Sequence, residues 1–249
     1  MNKPCEKPVI KSPESMRNRM RIMMAIGDDA AREEWCSADF SGLDLEKGQL
    51  SGTNMRNANL VGANLKRARL NSADLLGADL SKADLWGASL ISVILRGAKL
   101  ELTSLAGVNA VEANFFGANL NQCSLKDAIL YKAILLEADI TGVDFSRAKM
   151  AYANLEGLVF TDVVLTDAEL LGANLKNTDF TGIKNKTLSN VSFKGADLQG
   201  ANLTGIKFIN VNLTDTNLTD VKLSGAEMCE ETIKTREKKK KKNNSFKPF

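Results

Sequence analysis

The chain has 249 residues, 44% of them hydrophobic and only 6% aromatic, with a net charge of +3. That apolar content excludes disorder along the whole length, and no stretch approaches the roughly 18 apolar residues of a membrane-spanning helix. Rings usually supply much of a core's buried area, so this core must be built from smaller, aliphatic side chains.

Met1 to Ser12 holds no apolar run of signal-peptide length. The expected location is therefore the cytoplasm, or outside it by a route that needs no cleaved signal. Ser12-Pro13-Glu14 reads as a helix N-cap, a first-turn proline and a first-turn acid. Met16, Met20, Met23 and Met24 then recur at helical spacing, and Gly27 is placed to close the helix. A second short helix is expected from Asp29 to about Cys36, carrying Trp35. Residues 1–36 thus read as a helical N-terminal cap with a disordered start. The competing reading of the Arg-Met helix is membrane or calmodulin-type binding.

The next stretch repeats every five residues: Ala58-Asn59-Leu60, Ala63-Asn64-Leu65, Ala73-Asp74-Leu75, Ala78-Asp79-Leu80 and Ala83-Asp84-Leu85. The unit is a small residue, Asn or Asp, a large apolar residue (the centre) and two variable positions. Centres fall at every fifth residue from Phe40 to Phe180, 29 in all, and only Ala110 is not large. A second run of 8 goes from Phe193 to Met228. A period of five fits neither the 3.6 of a helix nor the 2.0 of a strand. It fits a chain that turns a corner every five residues, so that four sides close a square coil. Coils then stack about 4.8 Å apart through backbone hydrogen bonds. Small residues and centres point inward, and Asn or Asp suits the corners because its side chain bonds nearby backbone.

These residues resemble the pentapeptide-repeat family, A-(D/N)-L-x-x, over about 190 residues of the chain. The resemblance implies an all-β solenoid, a right-handed quadrilateral β-helix, over residues 37–228. It also implies two kinds of role. Some secreted effectors of bacterial pathogens are similar in carrying such repeats, and the gyrase-protecting branch mimics DNA through a strongly acidic rod. This chain departs from that branch. Residues 37–228 hold 18 basic and 21 acidic side chains, and Lys66, Arg67 and Arg69 interrupt any acidic stripe. No apolar C-terminal dimerisation helix follows Met228.

The register breaks between Phe180 and Phe193, so residues 181–190 are expected to bulge as an irregular loop that leaves the later coils' phase open. Residues 229–249 hold 8 basic and 3 acidic side chains and read as a disordered basic tail. Lys238, Lys239, Lys240, Lys241 and Lys242 would be its contact to nucleic acid or an anionic membrane, if it has one.

The chain has no histidine, and its four cysteines, Cys5, Cys36, Cys123 and Cys229, form no metal-type pair. The reading is no metal, no cofactor, no catalysis and free thiols. Function is then expected on the outer surface. The side with centres 40, 60 and 80 reads as polar and mildly acidic, through Asp39, Asp79, Glu101, Asp139 and Asp179. Two adjacent sides instead carry Ile91, Ile94, Val111, Phe116, Ile129, Tyr131, Ile134 and Leu136, where a regular repeat would be polar. This patch is the candidate protein-binding surface, for a partner protein or for a homodimer.

Overall fold

A computed structural model describes residues 35–228. Each repeat is one side of a square. A turn closes every corner: the N–H of the small residue donates to the carbonyl of the preceding centre, as in Ala63 to Leu60 at 3.0 Å. The second residue after the centre has positive φ, the requirement of a type II turn. Glycine meets it without strain at Gly62 or Gly117, yet Tyr152 and Leu102 meet it with φ of 57° and 58°.

Single-residue parallel bridges link the position before each centre to its equivalent 20 residues on, as in Asp39 to Asn59 to Asp79. Four ladders of centres result. The first side holds Trp35, Met55, Leu75, Leu95, Phe115, Leu135, Leu155, Leu175, Leu198 and Leu218. The second begins at Phe40, the third at Leu45 and the fourth at Leu50. Centres and small residues are almost all fully buried, and the buried rings gather at the first two centres, Trp35 edge-on to Phe40, and again between Phe145 and Phe208, with Phe160 stacked on Phe180. Thr53, Thr103 and Thr178 fit the small position because each hydroxyl donates to a nearby backbone carbonyl.

Asn and Asp have a specific task here. Four of the five N–H groups in a repeat donate to backbone. The fifth, on the residue after the centre, has no such partner, and where the residue two earlier is Asn or Asp its Oδ1 accepts it. Val61 to Asn59, Phe116 to Asn114 and Thr141 to Asp139 show the pattern at 3.2, 3.0 and 3.0 Å. A buried or half-buried donor left unpaired costs free energy, so this position selects for a side-chain acceptor.

Three expectations change. Trp35 and Cys36, assigned to a helix, belong to the coil: Trp35 is the first centre, and its N–H donates to the Asn54 carbonyl at 2.6 Å. The rest of the expected cap, and the tail beyond Met228, lie outside the described residues. Second, the irregular segment is three residues long, not ten. Lys184–Lys186 form a 3-10 turn with φ of 57° at Asn185 and 52° at Lys186. Ile183 before it takes the small position, and Leu188 after it is a buried centre. Strands β1 (Thr187–Ser189), β2 (Lys207–Ile209) and β3 (Glu227–Met228) then stack in parallel, Leu188 on Phe208 on Met228. This fixes the phase that the sequence left open, since Glu169 pairs with Ser192 and Asn174 with Asp197. One coil has 23 residues and the next returns to 20. Third, the four thiols are not all free. Cys123 is a free, buried thiol, and burial pushes its pKa well above the ordinary range. Cys36 is disulfide-bonded.

Candidate functional site

Corner geometry decides which outer residues share a surface. The two residues after each centre form the corner, so those following a fourth-side centre border the first side. Three columns therefore meet there. Ile91, Val111 and Tyr131 stack on the corner in successive coils. Ile94 and Ile134 lie on the side itself, two coils apart with Asn114 between them. Phe116 and Leu136 stack at its far corner. Seven of the eight candidate residues thus surround one side rather than two. Ile129 is the exception, on the fourth side between Asn109 and Lys149.

Ile129 and Tyr131 are exposed, and the other six are half-buried by their neighbours. The rings are held in place. Tyr131 meets Tyr152 edge-on at 5.7 Å between centroids, the Lys132 ammonium lies 5.3 Å from the Tyr131 ring, and the Arg96 guanidinium lies 5.1 Å from the Phe116 ring. Such contacts contribute roughly 0.5–1 kcal/mol each at exposed sites. They also orient the apolar surface.

Tyr152 belongs to this surface and was not among the candidates. It is 53% exposed, and its ring covers Gly172, where a Cβ would sit 2.6 Å from Tyr152 Cε1. A large ring at a position of positive φ was the sequence signal for it. Leu171, 39% exposed, extends the same corner column.

Ile94 and Ile134 depart from the repeat's own rule. On the first side, Asn54, Asp74, Asn114, Asn154, Asn174, Asp197 and Asn217 each accept the N–H two residues on. Ile94 and Ile134 offer no acceptor to Arg96 and Leu136. A net hydrogen bond is worth about 0.5–1.5 kcal/mol, so each isoleucine forgoes a contribution that the fold itself favours.

Elsewhere, a cleft of about 270 Å³ lies beside the 3-10 turn, lined by Val164, Thr166, Lys184 and Thr187 among others. It faces the third side, away from the apolar surface. Among the described residues, no three His, Cys, Asp or Glu side chains converge as metal ligands, and no helix is long and apolar enough to cross a membrane.

Comparison with known proteins agrees with this architecture. The family model for pentapeptide repeats matches eight copies across residues 38–226. Among solved structures, HetL from the cyanobacterium Nostoc sp. strain PCC 7120, a pentapeptide repeat protein involved in heterocyst differentiation regulation, is 27% identical. The match covers 84% of this chain and 93% of HetL, with a TM-score of 0.63. A trypsin-treated form of QnrB1, a plasmid-mediated fluoroquinolone resistance protein, is 14% identical over 80% of this chain and 93% of that one, with a TM-score of 0.57. No curated protein matches the chain. The square coils are thus those of a right-handed β-helix, and the chain belongs to the pentapeptide-repeat family.

Proposed function

We propose that this chain is a non-catalytic scaffold that binds protein through its first side. The observation that carries the reading is the pair Ile94 and Ile134. They give up the side-chain acceptor that the other described rungs of the side keep, and they do so where Val111, Phe116, Tyr131 and Leu136 converge. Departures from a local rule are expected where a residue serves function rather than the fold. An exposed apolar surface with ordered rings at its centre is how protein interfaces are built.

HetL is involved in regulating heterocyst differentiation and QnrB1 in fluoroquinolone resistance. Both are roles that a binding scaffold can fill. A DNA-mimic reading is less well supported, because Lys99, Lys149 and Lys222 interrupt the outer ladders at bridge positions where an acidic stripe would run.

The test compares the protein-binding capacity of the wild type with that of Phe116→Asp and Ile134→Asp. Self-association and capture of other proteins are scored together, after circular dichroism has shown the variants folded. Loss of association in both variants is expected. Unchanged association of every kind would overturn the proposal.

A further inference from the structure

The charges on the first side suit one occupant. Resting on the reading of that side as an interface, we propose that it binds a second copy of this chain. The two rods lie antiparallel, about a two-fold axis that crosses the side between the Phe115 and Leu135 rungs.

Two flat faces related by a two-fold axis across the rods meet column on column, with the order of coils reversed. Each residue then faces whatever lies equally far on the other side of the axis. The first-side ladder has ten rungs, and Phe115 and Leu135 are the fifth and sixth. The axis therefore passes through the middle of the described rod, and the described parts of the two rods overlap from end to end. The same axis bisects the apolar surface. It sets Phe116 against the partner's Leu136 and Val111 against the partner's Tyr131, and on the column between them it sets Ile94 against the partner's Asn154 and Ile134 against the partner's Asn114.

The charged residues follow the same symmetry. Reversal sets Arg96 opposite the partner's Glu156, and Glu112 opposite the partner's Lys132. Each contact occurs twice by the two-fold. Arg96, Glu112 and Lys132 are exposed and Glu156 is half-buried; within one chain Glu112 and Lys132 form a long surface pair at 3.9 Å and Glu156 accepts from Asn174, contacts that leave each charge further bonding capacity. Among the described residues of this side, no charge meets one of its own sign. Sliding the rods by one coil, about 4.8 Å, destroys this match: in one direction Glu112 faces itself, in the other Lys132 does. Charge complementarity of this kind fixes register and excludes wrong alignments.

The experiment is light scattering on size-exclusion peaks of the full chain, at concentrations from about 1 to 100 µM, the range in which interfaces of ordinary size associate. The wild type is expected to be a dimer and Phe116→Asp a monomer. Arg96→Glu and Glu156→Arg alone should each raise the dimer dissociation constant about tenfold or more. Together they should return it to within about threefold of the wild type, because the swapped charges again face their opposites. Circular dichroism checks that each variant is folded.

A monomeric wild type at about 100 µM would overturn the second copy as occupant. The proposed function would then stand or fall on capture of other proteins by wild type and Phe116→Asp. A dimer that the paired charge swap fails to restore would overturn the antiparallel register. A dimer indifferent to Phe116→Asp would show that self-association uses another surface, and would overturn this proposal as well.

Discussion

The first and second sides of the rod share a backbone, a core and a repeat, yet they present different surfaces. On the second side, Asp39, Asn59, Asp79, Asn119, Asp139, Asp179 and Asn202 each accept the N–H two residues on. Its departures, Lys99, Val159 and Lys222, are separated from one another along the ladder, and Lys99 is compensated by an ion pair to Asp79 at 3.7 Å. On the first side the departures, Ile94 and Ile134, sit among other apolar residues at the middle of the ladder. The local rule thus accounts for most rungs of the second side, where the departures are scattered, whereas those of the first side gather in one apolar surface. The rule is kept unevenly: on the fourth side Asn109 and Asn212 accept the N–H two residues on, while Arg69, Ile129 and Lys149 offer no such acceptor, so the mostly regular second side is the nearer control for the first.

Substitutions on the two sides test how far they differ. The largest effect should come from the shared core, where the sides do not differ. Phe115→Ala on the first side and Phe160→Ala on the second should each cost about 3–5 kcal/mol, measured by urea unfolding. A large difference between them would mean that the sides are not equivalent inside. Removing an acceptor on the polar side should cost less. Asp139→Ala strips the N–H of Thr141 of its partner and should lower stability by about 1 kcal/mol.

The same carboxylate gives a pH dependence. The backbone N–H and hydroxyl of Thr141 hold the pKa of Asp139 below its ordinary value of 3.8. Partial burial opposes the shift at Asp79 and Asp179, but the hydrogen bonds from Ser81 and Thr181 outweigh it, and both are lowered. A pKa depressed in the folded state stabilises above the unfolded value and loses that contribution as pH falls through the folded one. Thermal stability should thus decline below about pH 4, and Asp139→Asn should flatten the decline. An unchanged slope would remove Asp139 from the explanation. The smallest effect is expected from deleting Lys184–Lys186. That deletion joins Ile183 to Thr187 and Leu188 in a regular repeat and restores a 20-residue coil. The melting temperature should move by no more than about 4 °C, the shift of roughly 1 kcal/mol in a domain of this size.

The repeat was legible because its period is short and its centres are large, so ladders, corners and the inward small residue all followed from Ala-Asn-Leu triplets. Three things were not. Trp35 follows Arg32-Glu33-Glu34, a run with helical propensity, and only the backbone bond to Asn54 reveals it as a centre. Leu188 lies 8 residues after Phe180, a spacing that hides the repeat until three residues are removed as an insertion. The gathering of the apolar residues around one side depends on where the corner falls. Periodicity gives the order of positions but not the angle at which the chain turns, so Ile91 and Tyr131 seemed to belong to a neighbouring side. Tyr152 occupies a position that usually takes a small or polar residue, and its size has its effect through the ring's contacts with Tyr131 and Gly172, which the sequence does not show.

If the first side is a binding surface, its apolar residues are kept at the expense of the fold. The most direct measurement is the melting temperature of the double variant Ile94→Asn and Ile134→Asn, at a concentration low enough for both proteins to be monomeric. Each asparagine should restore an acceptor worth about 0.5–1.5 kcal/mol. The account predicts a melting temperature equal to or a few degrees above the wild type, together with weakened association. A fall of several degrees would contradict it, since it would show that the isoleucines are there to hold the solenoid together.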